Sequence, residues 1–335
     1  MRVNFSAAAA IFAAAPAAAA LLIVLSVLFG AKNIAPATIW EALVQFDAGN
    51  VDHQIIRSSR LPRVVGAMLI GAFLAASGAI MQGMTRNALA SPSLMGVSDG
   101  SVFAVTMTMI FWPDSGSVGL IALSMVGSAV GAGLVFGVAR LIPQGMSPVK
   151  LTILGTVIGT FLSGVSAAAA AYFQISQNIG LWYNARLHQM DPELIKLSLP
   201  FAAVGLGLGL CLSKSVTVLS LGDELSAGLG QRTVLVKGLS MLAVVILTGV
   251  SVALAGKIAF VGLIVPHIAR LLAGVDYRRI IPASAVLGAL FLALCDLIAR
   301  FVNAPFETPV GVVTALFGVP FFLYLIRAKG GGKLG

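Results

Sequence analysis

The chain has 335 residues, of which 59% are hydrophobic and only 10% charged, with a mean hydropathy of +1.01 and a formal charge of +9. A typical soluble domain carries about 25% charged residues, so a water-soluble fold is excluded. Continuous apolar blocks of roughly 20 residues also exclude a transmembrane barrel, whose strands alternate apolar and polar over about 10 residues.

The fold class that remains is all-α, a polytopic membrane protein. In chain order the apolar blocks cover 7–31, 61–82, 94–112, 118–142, 150–173, 196–213, 237–256, 258–272, 281–301 and 309–326. Eight are clear; 258–272 is short and interrupted by Pro266, and 196–213 is just long enough to cross. The reading is ten transmembrane helices in one transmembrane domain over 1–335. The first block resembles a secretory signal sequence, but its run of about 25 apolar residues exceeds the 7–15 of a signal core, which favours a retained span.

Counting Lys and Arg on alternate sides places 13 of the 21 on the side of the N-terminus and eight, Lys257 among them, on the other. That bias predicts an orientation with both termini in the cytoplasm. The basic residues are scattered at block edges and form no stripe suited to nucleic acid. Cys211 and Cys295 stand singly within apolar blocks, which fits helix packing and offers neither a disulfide framework nor a metal-binding spacing.

Arg57, Arg60 and Arg63 precede the second span on the outer side, against the positive-inside trend. Pro62 belongs in a first helical turn, so Arg60 and Arg63 are expected at a helix mouth in contact with solvent. They either snorkel to the interface or receive an acidic partner. Gly96-Val97-Ser98-Asp99-Gly100 matches the nucleophile-elbow pattern, but between two apolar helices and without the required strand-turn-helix setting. Small residues recur four apart at Gly127 and Gly131, at Gly133 and Gly137, and at Gly155, Gly159, Ser163 and Ala167. Such stripes allow close helix packing; the one beginning at Gly155 has a second reading as a wall of a translocation pathway.

Between the sixth and seventh spans, Leu221, Leu225 and Leu229 recur at four-residue intervals beside Asp223 and Glu224, with Gly222 before them and Gly228 and Gly230 after. Ser220 and Asp223 suggest a capping box. A short amphipathic helix is expected near 219–231, its leucine face packed either on its own helix ends or in a groove of a partner. Ser251 with Gly256, Lys257 and Ile258 echoes a phosphate-binding loop but lacks its first Gly and final hydroxyl, so ATP binding by this chain is not expected. Asp296 stands four residues before Arg300 on one helical face, and a local ion pair explains it better than a proton relay, since no second buried acid is apparent in the apolar blocks.

Five ordered motifs resemble the FecCD family: RLPR at 60–63, SGAIMQGMTRNALASPSLMGVSDG at 77–100, LSLGDELSAGLG at 219–230, AFVGLIVPHIARLL at 259–272 and ETPVGVVTALFGVPFFLYLI at 307–326. The resemblance spans about 57–326 and implies a permease subunit of a type II ATP-binding-cassette importer for ferric siderophores, haem or cobalamin, in a bacterial plasma membrane. It implies ten helices per subunit, a second permease subunit, identical or homologous, and two separate ATPase subunits that dock on the helix at 221–231. ATP and Mg would then be bound by those partners, with no cofactor or metal on this chain. An extracytoplasmic substrate-binding protein is implied to meet Arg60, Arg63 and Arg300, and the fifth helix, with Gly155, Gly159 and Ser163, to line the pathway. Three departures stand out: Asn87-Ala88 where the family usually has Asn-Pro, Lys257 where Pro or Ala is commoner, and Trp182-Tyr183-Asn184-Ala185-Arg186-Leu187-His188 in place of a Trp-x-x-Gly-Ser-Leu pattern. A cation-coupled secondary transporter and an intramembrane protease are the competing functions.

Overall fold

The computed structural model describes residues 5–30, 34–143, 145–183, 187, 190–303 and 306–330; of the variant stretch at 182–188, positions 184–186 and 188 lie outside the described residues. The described residues form α1 (Phe5–Leu28), α2 (Pro36–Val44), α3 (Val51–Ile55), a π-helical turn (Ile56–Arg60), α4 (Leu61–Thr85), α5 (Val97–Phe111), α6 (Gly116–Leu141) and α7 (Pro148–Tyr172). They continue with α8 (Ser176–Tyr183), α9 (Pro192–Leu219), α10 (Asp223–Gly228), α11 (Thr233–Ala255), α12 (Val261–Ala273), α13 (Tyr277–Val302) and α14 (Val310–Gly330). Among the described residues seven helices are long and apolar enough to cross a membrane, and three shorter apolar ones, α5, α12 and α14, account for the remaining predicted blocks. The sixth block proves longer than its apolar run: α9 continues to Leu219, where Ser213, Thr217 and Ser220 turn their hydroxyls back onto main-chain carbonyls of the same helix.

Polar side chains open several helices. Asn50, Asp191 and Asp276 each accept a hydrogen bond from the backbone N–H two residues on, at the starts of α3, α9 and α13, satisfying a donor that the helix itself leaves orphaned. Pro62 sits in the first turn of α4, as expected.

At the centre stands α4, packed against α9, α11, α12 and α13, with Ile70, Phe73, Leu74, Ile80 and Met81 buried. Glycines set the closest approaches. A Cβ added at Gly71 would run into the carbonyl of Gly288 on α13, and one at Gly100 into the carbonyl of Gly127 on α6. Such contacts let backbones meet without intervening side chains, the means by which helices associate in a medium as apolar as their own surfaces. Gly127 and Gly131 are thus packing residues, whereas a Cβ at Gly133 or Gly137 would meet nothing within 4 Å.

Gly83 of α4 lies against Val216 of α9 and Tyr277 of α13, so these helix ends and α10 share one end of the bundle. The starts of α4 and the last turns of α1 and α13 share the other. Two helices begin between these ends. Gly100, in the first turn of α5, packs on Gly127 and Gly131 near the middle of α6. Gly262, at the start of α12, packs on Leu74 and Gly78, well inside α4. The segments leading to these helices, 86–96 and 256–260, therefore fold back into the depth of the bundle.

Candidate functional site

At the end where α4 begins, three arginines from two distant segments converge on one carboxylate and one helix terminus. Asp296 accepts from Arg63 Nε at 2.9 Å and from Arg300 Nη2 at 2.5 Å. Arg63 Nη1 also reaches Glu307 Oε1 at 2.7 Å. Arg300 Nη1 donates to the carbonyls of Ser26 and Phe29 and its Nη2 to Ser26 Oγ, while Arg60 Nη1 donates to the carbonyls of Val27 and Leu28. The final carbonyls of a helix lack partners within it and carry its negative pole, so Arg60 and Arg300 complete the C-terminus of α1 electrostatically.

This corrects the expectation that Arg60 and Arg63 face solvent. They are 7% and 8% exposed, and Arg300 is 8% exposed, because carbonyls of α1 and the carboxylates of Asp296 and Glu307 enclose them. The Asp296–Arg300 pair forms as its four-residue spacing predicts. Arg63, separated from Asp296 by 233 positions, is the partner that the spacing did not suggest. Arg57 remains exposed, its guanidinium 4.6 Å from the centre of the Phe46 ring.

The opposite end carries α10. Leu221, Leu225 and Leu229 are each more than three-fifths exposed. The capping box is not formed: Gly222, at φ +132°, occupies the N-cap position with no side-chain bond, and Ser220 Oγ donates to the Thr217 carbonyl. Only glycine adopts that backbone angle readily. Anchoring comes from Ser226, whose hydroxyl bonds Val218 and Gly222 carbonyls, and from Gln231, which donates to the Ser215 carbonyl. Asp223 pairs with Lys237 at 2.8 Å, and Glu224 is exposed. Nearby, Asp276 accepts from Thr217 and Arg278, and the Arg278 guanidinium holds its carboxyl below the usual carboxylate range. The helix expected near 219–231 is confined to Asp223–Gly228, so of the three uncovered leucines Leu225 lies on it and Leu221 and Leu229 flank its ends, beside acidic side chains.

Between the ends lies a group that reading the sequence missed. Asp99, in the first turn of α5, is buried and accepts from Lys257 Nζ at 2.5 Å and from Ser163 Oγ at 3.0 Å. Asp99 is thus a second buried acid inside an apolar block, and Lys257 sits at mid-depth instead of on the outer side to which the charge count assigned it. Gly155 and Gly159 are buried on the same face of α7. A Cβ at Gly155 would strike the Leu94 carbonyl, and one at Gly159 would come within 2.6 Å of Asp99 Oδ2. The available signal was the presence of two opposite charges in otherwise apolar runs, since each alone is costly in a membrane; nothing in the spacing paired them. Ser98 is buried in the same turn, where a hydrolase nucleophile would have to be accessible. Among the described residues no group of three or more His, Cys, Asp or Glu is placed to hold a metal ion.

The FecCD transport family model matches residues 18–328. The chain is 57% identical to the Bacillus subtilis iron-uptake system permease protein FeuB over 313 residues, covering 93% of this chain and 94% of that one. It is 52% identical to the Bacillus subtilis iron(3+)-hydroxamate import system permease protein FhuB over 305 residues, covering 91% and 79% respectively. Among solved structures, an inward-facing putative metal-chelate type ABC transporter superposes with a TM-score of 0.79 at 24% identity, covering 96% of this chain and 99% of that one.

Proposed function

Since the chain belongs to the FecCD transport family, we propose that this multi-pass membrane protein is the permease subunit of an ATP-binding-cassette importer for ferric siderophores. The observation that carries the coupling half of this reading is α10 and its flanks, a firmly anchored segment with Leu221, Leu225 and Leu229 exposed. The iron half rests on the relatives, named for iron uptake and iron(3+)-hydroxamate import.

In this reading the chain lies with both termini in the cytoplasm, α10 on the cytoplasmic side and the arginine cluster outside. It forms one permease domain and pairs with a second permease, identical or homologous. Two ATPase subunits seat the α10 leucines in their grooves, with Gly222, Asp223 and Glu224 at the rim. ATP and Mg belong to those subunits. A substrate-binding protein docks outside, its carboxylates competing with Asp296 and Glu307 for Arg63 and Arg300, and with the α1 carbonyls for Arg60. ATP-driven movement of α10 shifts the bundle between two states, and net transport requires that the cargo interact differently with each. Gly155, Gly159 and Ser163 are assigned to the pathway, the two glycines as the positions that let α7 approach the 94–99 segment.

Charge reversal of Arg60, Arg63 and Arg300 to Glu is expected to weaken docking of the binding protein at least tenfold at low salt; unchanged docking would remove these residues from the docking surface. The cargo is tested by uptake of ferric siderophores, haem and cobalamin in parallel, in a strain lacking this gene and in its complemented control. Loss of siderophore uptake alone, restored by the gene, is the expected result. Loss confined to haem or cobalamin would replace the cargo and keep the permease.

A further inference from the structure

Lys257 has no role in the account so far, yet its surroundings are unusual for a membrane interior. The geometry points to Lys257 as an anion contact inside the translocation pathway, an ammonium held at mid-depth by Asp99, whose carboxylate Ser163 also bonds, to meet the negatively charged oxygens of a ferric chelate. The inference rests on the permease reading above and adds to it a residue that selects cargo by charge.

Depth comes first. With 15 residues, α5 is about 22 Å long at 1.5 Å per residue, short of a hydrocarbon core of about 30 Å. Its first turn touches the middle of α6 through Gly127 and Gly131 and the middle of α7 through Gly159 and Ser163. The pair between Asp99 and Lys257 therefore lies far from either end of the bundle.

Asymmetry comes second. The Asp99 side chain is 5% exposed and that of Lys257 32%. Asp99 Oδ1 takes both hydrogen bonds, and Oδ2 is closed in by Gly159. An ammonium has three N–H donors, and among the described residues Asp99 is the hydrogen-bond partner of Lys257. The carboxylate is thus enclosed and committed, whereas the ammonium keeps donors and an open side. A pair serving packing alone would gain nothing from leaving its cation accessible.

The sign of the local field comes third. Lys257 and Asp99 cancel formally; the N-termini of α5 and α12 both arrive near this level with partial positive charge, against the one negative pole of α11, which ends at Ala255 just before Lys257. The loop joining Lys257 to α12 is fixed there by Ser93 Oγ, which donates to the Ile258 carbonyl, and by Phe260, held at φ +68° with its ring against Gly318. Ser98 adds a hydroxyl oxygen, buried in the first turn of α5 and lacking a hydrogen-bond partner among the described residues. Two positive helix ends against one negative end leave a positive balance beside a neutral ion pair, which favours an anionic visitor, as half-helix N-termini do for anionic substrates in other carriers.

The test uses the complete transporter in vesicles with two iron chelates of different charge, a neutral ferric trihydroxamate and an anionic ferric tricatecholate. Lys257→Met is expected to lower uptake of the anionic chelate at least tenfold while uptake of the neutral chelate and ATP hydrolysis stay within threefold. Lys257→Arg should keep at least half of the anionic uptake. Equal losses for both chelates, or no loss for either, would overturn the proposal, as would an unaltered transporter that carries only the neutral chelate. A second arm is independent of uptake: in a background with Cys211 and Cys295 replaced by alanine, Lys257→Cys should react with a membrane-impermeant thiol reagent and be protected by the anionic chelate. Absence of reaction in folded protein would also overturn it. Should the unaltered transporter carry neither chelate, the iron reading fails, and protection of position 257 by the tricatecholate then decides the anion contact separately.

Discussion

Two buried charge clusters share this bundle and are built in opposite ways. Around Asp296, two arginines, a second carboxylate and the carbonyls ending α1 form a dense group in which Asp296 and both arginines are each fixed by several bonds. Around Asp99, one lysine and one serine suffice, and the lysine stays a third exposed. The first is the architecture of a structural joint, tying α1, α4 and α13 at one end. The second holds a charge in place at mid-depth and leaves it reachable. Guanidinium and ammonium suit these tasks, since the planar fork of Arg satisfies several acceptors at once and Lys acts as a compact point charge.

Substitutions at the two clusters are expected to fall in a definite order of thermal destabilisation, measured on the purified protein in detergent. Asp296→Ala strands two buried guanidiniums and is expected to cost about 3–5 kcal/mol. Asp99→Ala should cost less, about 1–3 kcal/mol, because Lys257 has an open side on which to be solvated. A cost equal to that of Asp296→Ala would mean that Lys257 is as confined as the arginines and would erase the distinction. Ser163→Ala removes a single hydrogen bond to Asp99 and is expected to cost about 0.5–1.5 kcal/mol. Smallest of all, Leu225→Asp changes an exposed side chain and should stay within about 0.5 kcal/mol, yet it is expected to abolish ATP-driven uptake by removing the leucine from the ATPase groove. A large loss of stability in that variant would show the leucine packing on its own chain.

The two clusters also differ in how far the sequence revealed them. Apolar block length located the seven helices long enough to cross a membrane and the three shorter apolar ones among the described residues, because hydrocarbon thickness imposes a minimum run that composition displays directly. Asp296 and Arg300 were readable as a pair because four residues is one helical turn. The burial of Arg60 was not readable, since its acceptors are the last carbonyls of α1, more than thirty residues earlier, and main-chain carbonyls leave no mark in a sequence. Asp99 and Lys257 are 158 positions apart on elements that begin or turn at mid-depth. Apolar runs mark where helices cross; they do not show that α5 and α12 start inside, so both charges were assigned to the wrong surroundings. The leucine face of α10 was visible from its spacing, whereas its anchoring through Ser226 and Gln231 required the fold.

The central claim is that this chain moves iron chelates through a bundle driven from its α10 end by a separate ATPase. The most direct measurement is uptake of a radiolabelled ferric siderophore into vesicles containing this permease, its partner permease, the ATPase subunits and the binding protein, with and without ATP on the α10 side. The account predicts uptake that requires ATP, is absent without the ATPase subunits and disappears with Leu225→Asp. Uptake driven by an ion gradient in the absence of ATP and ATPase would contradict it.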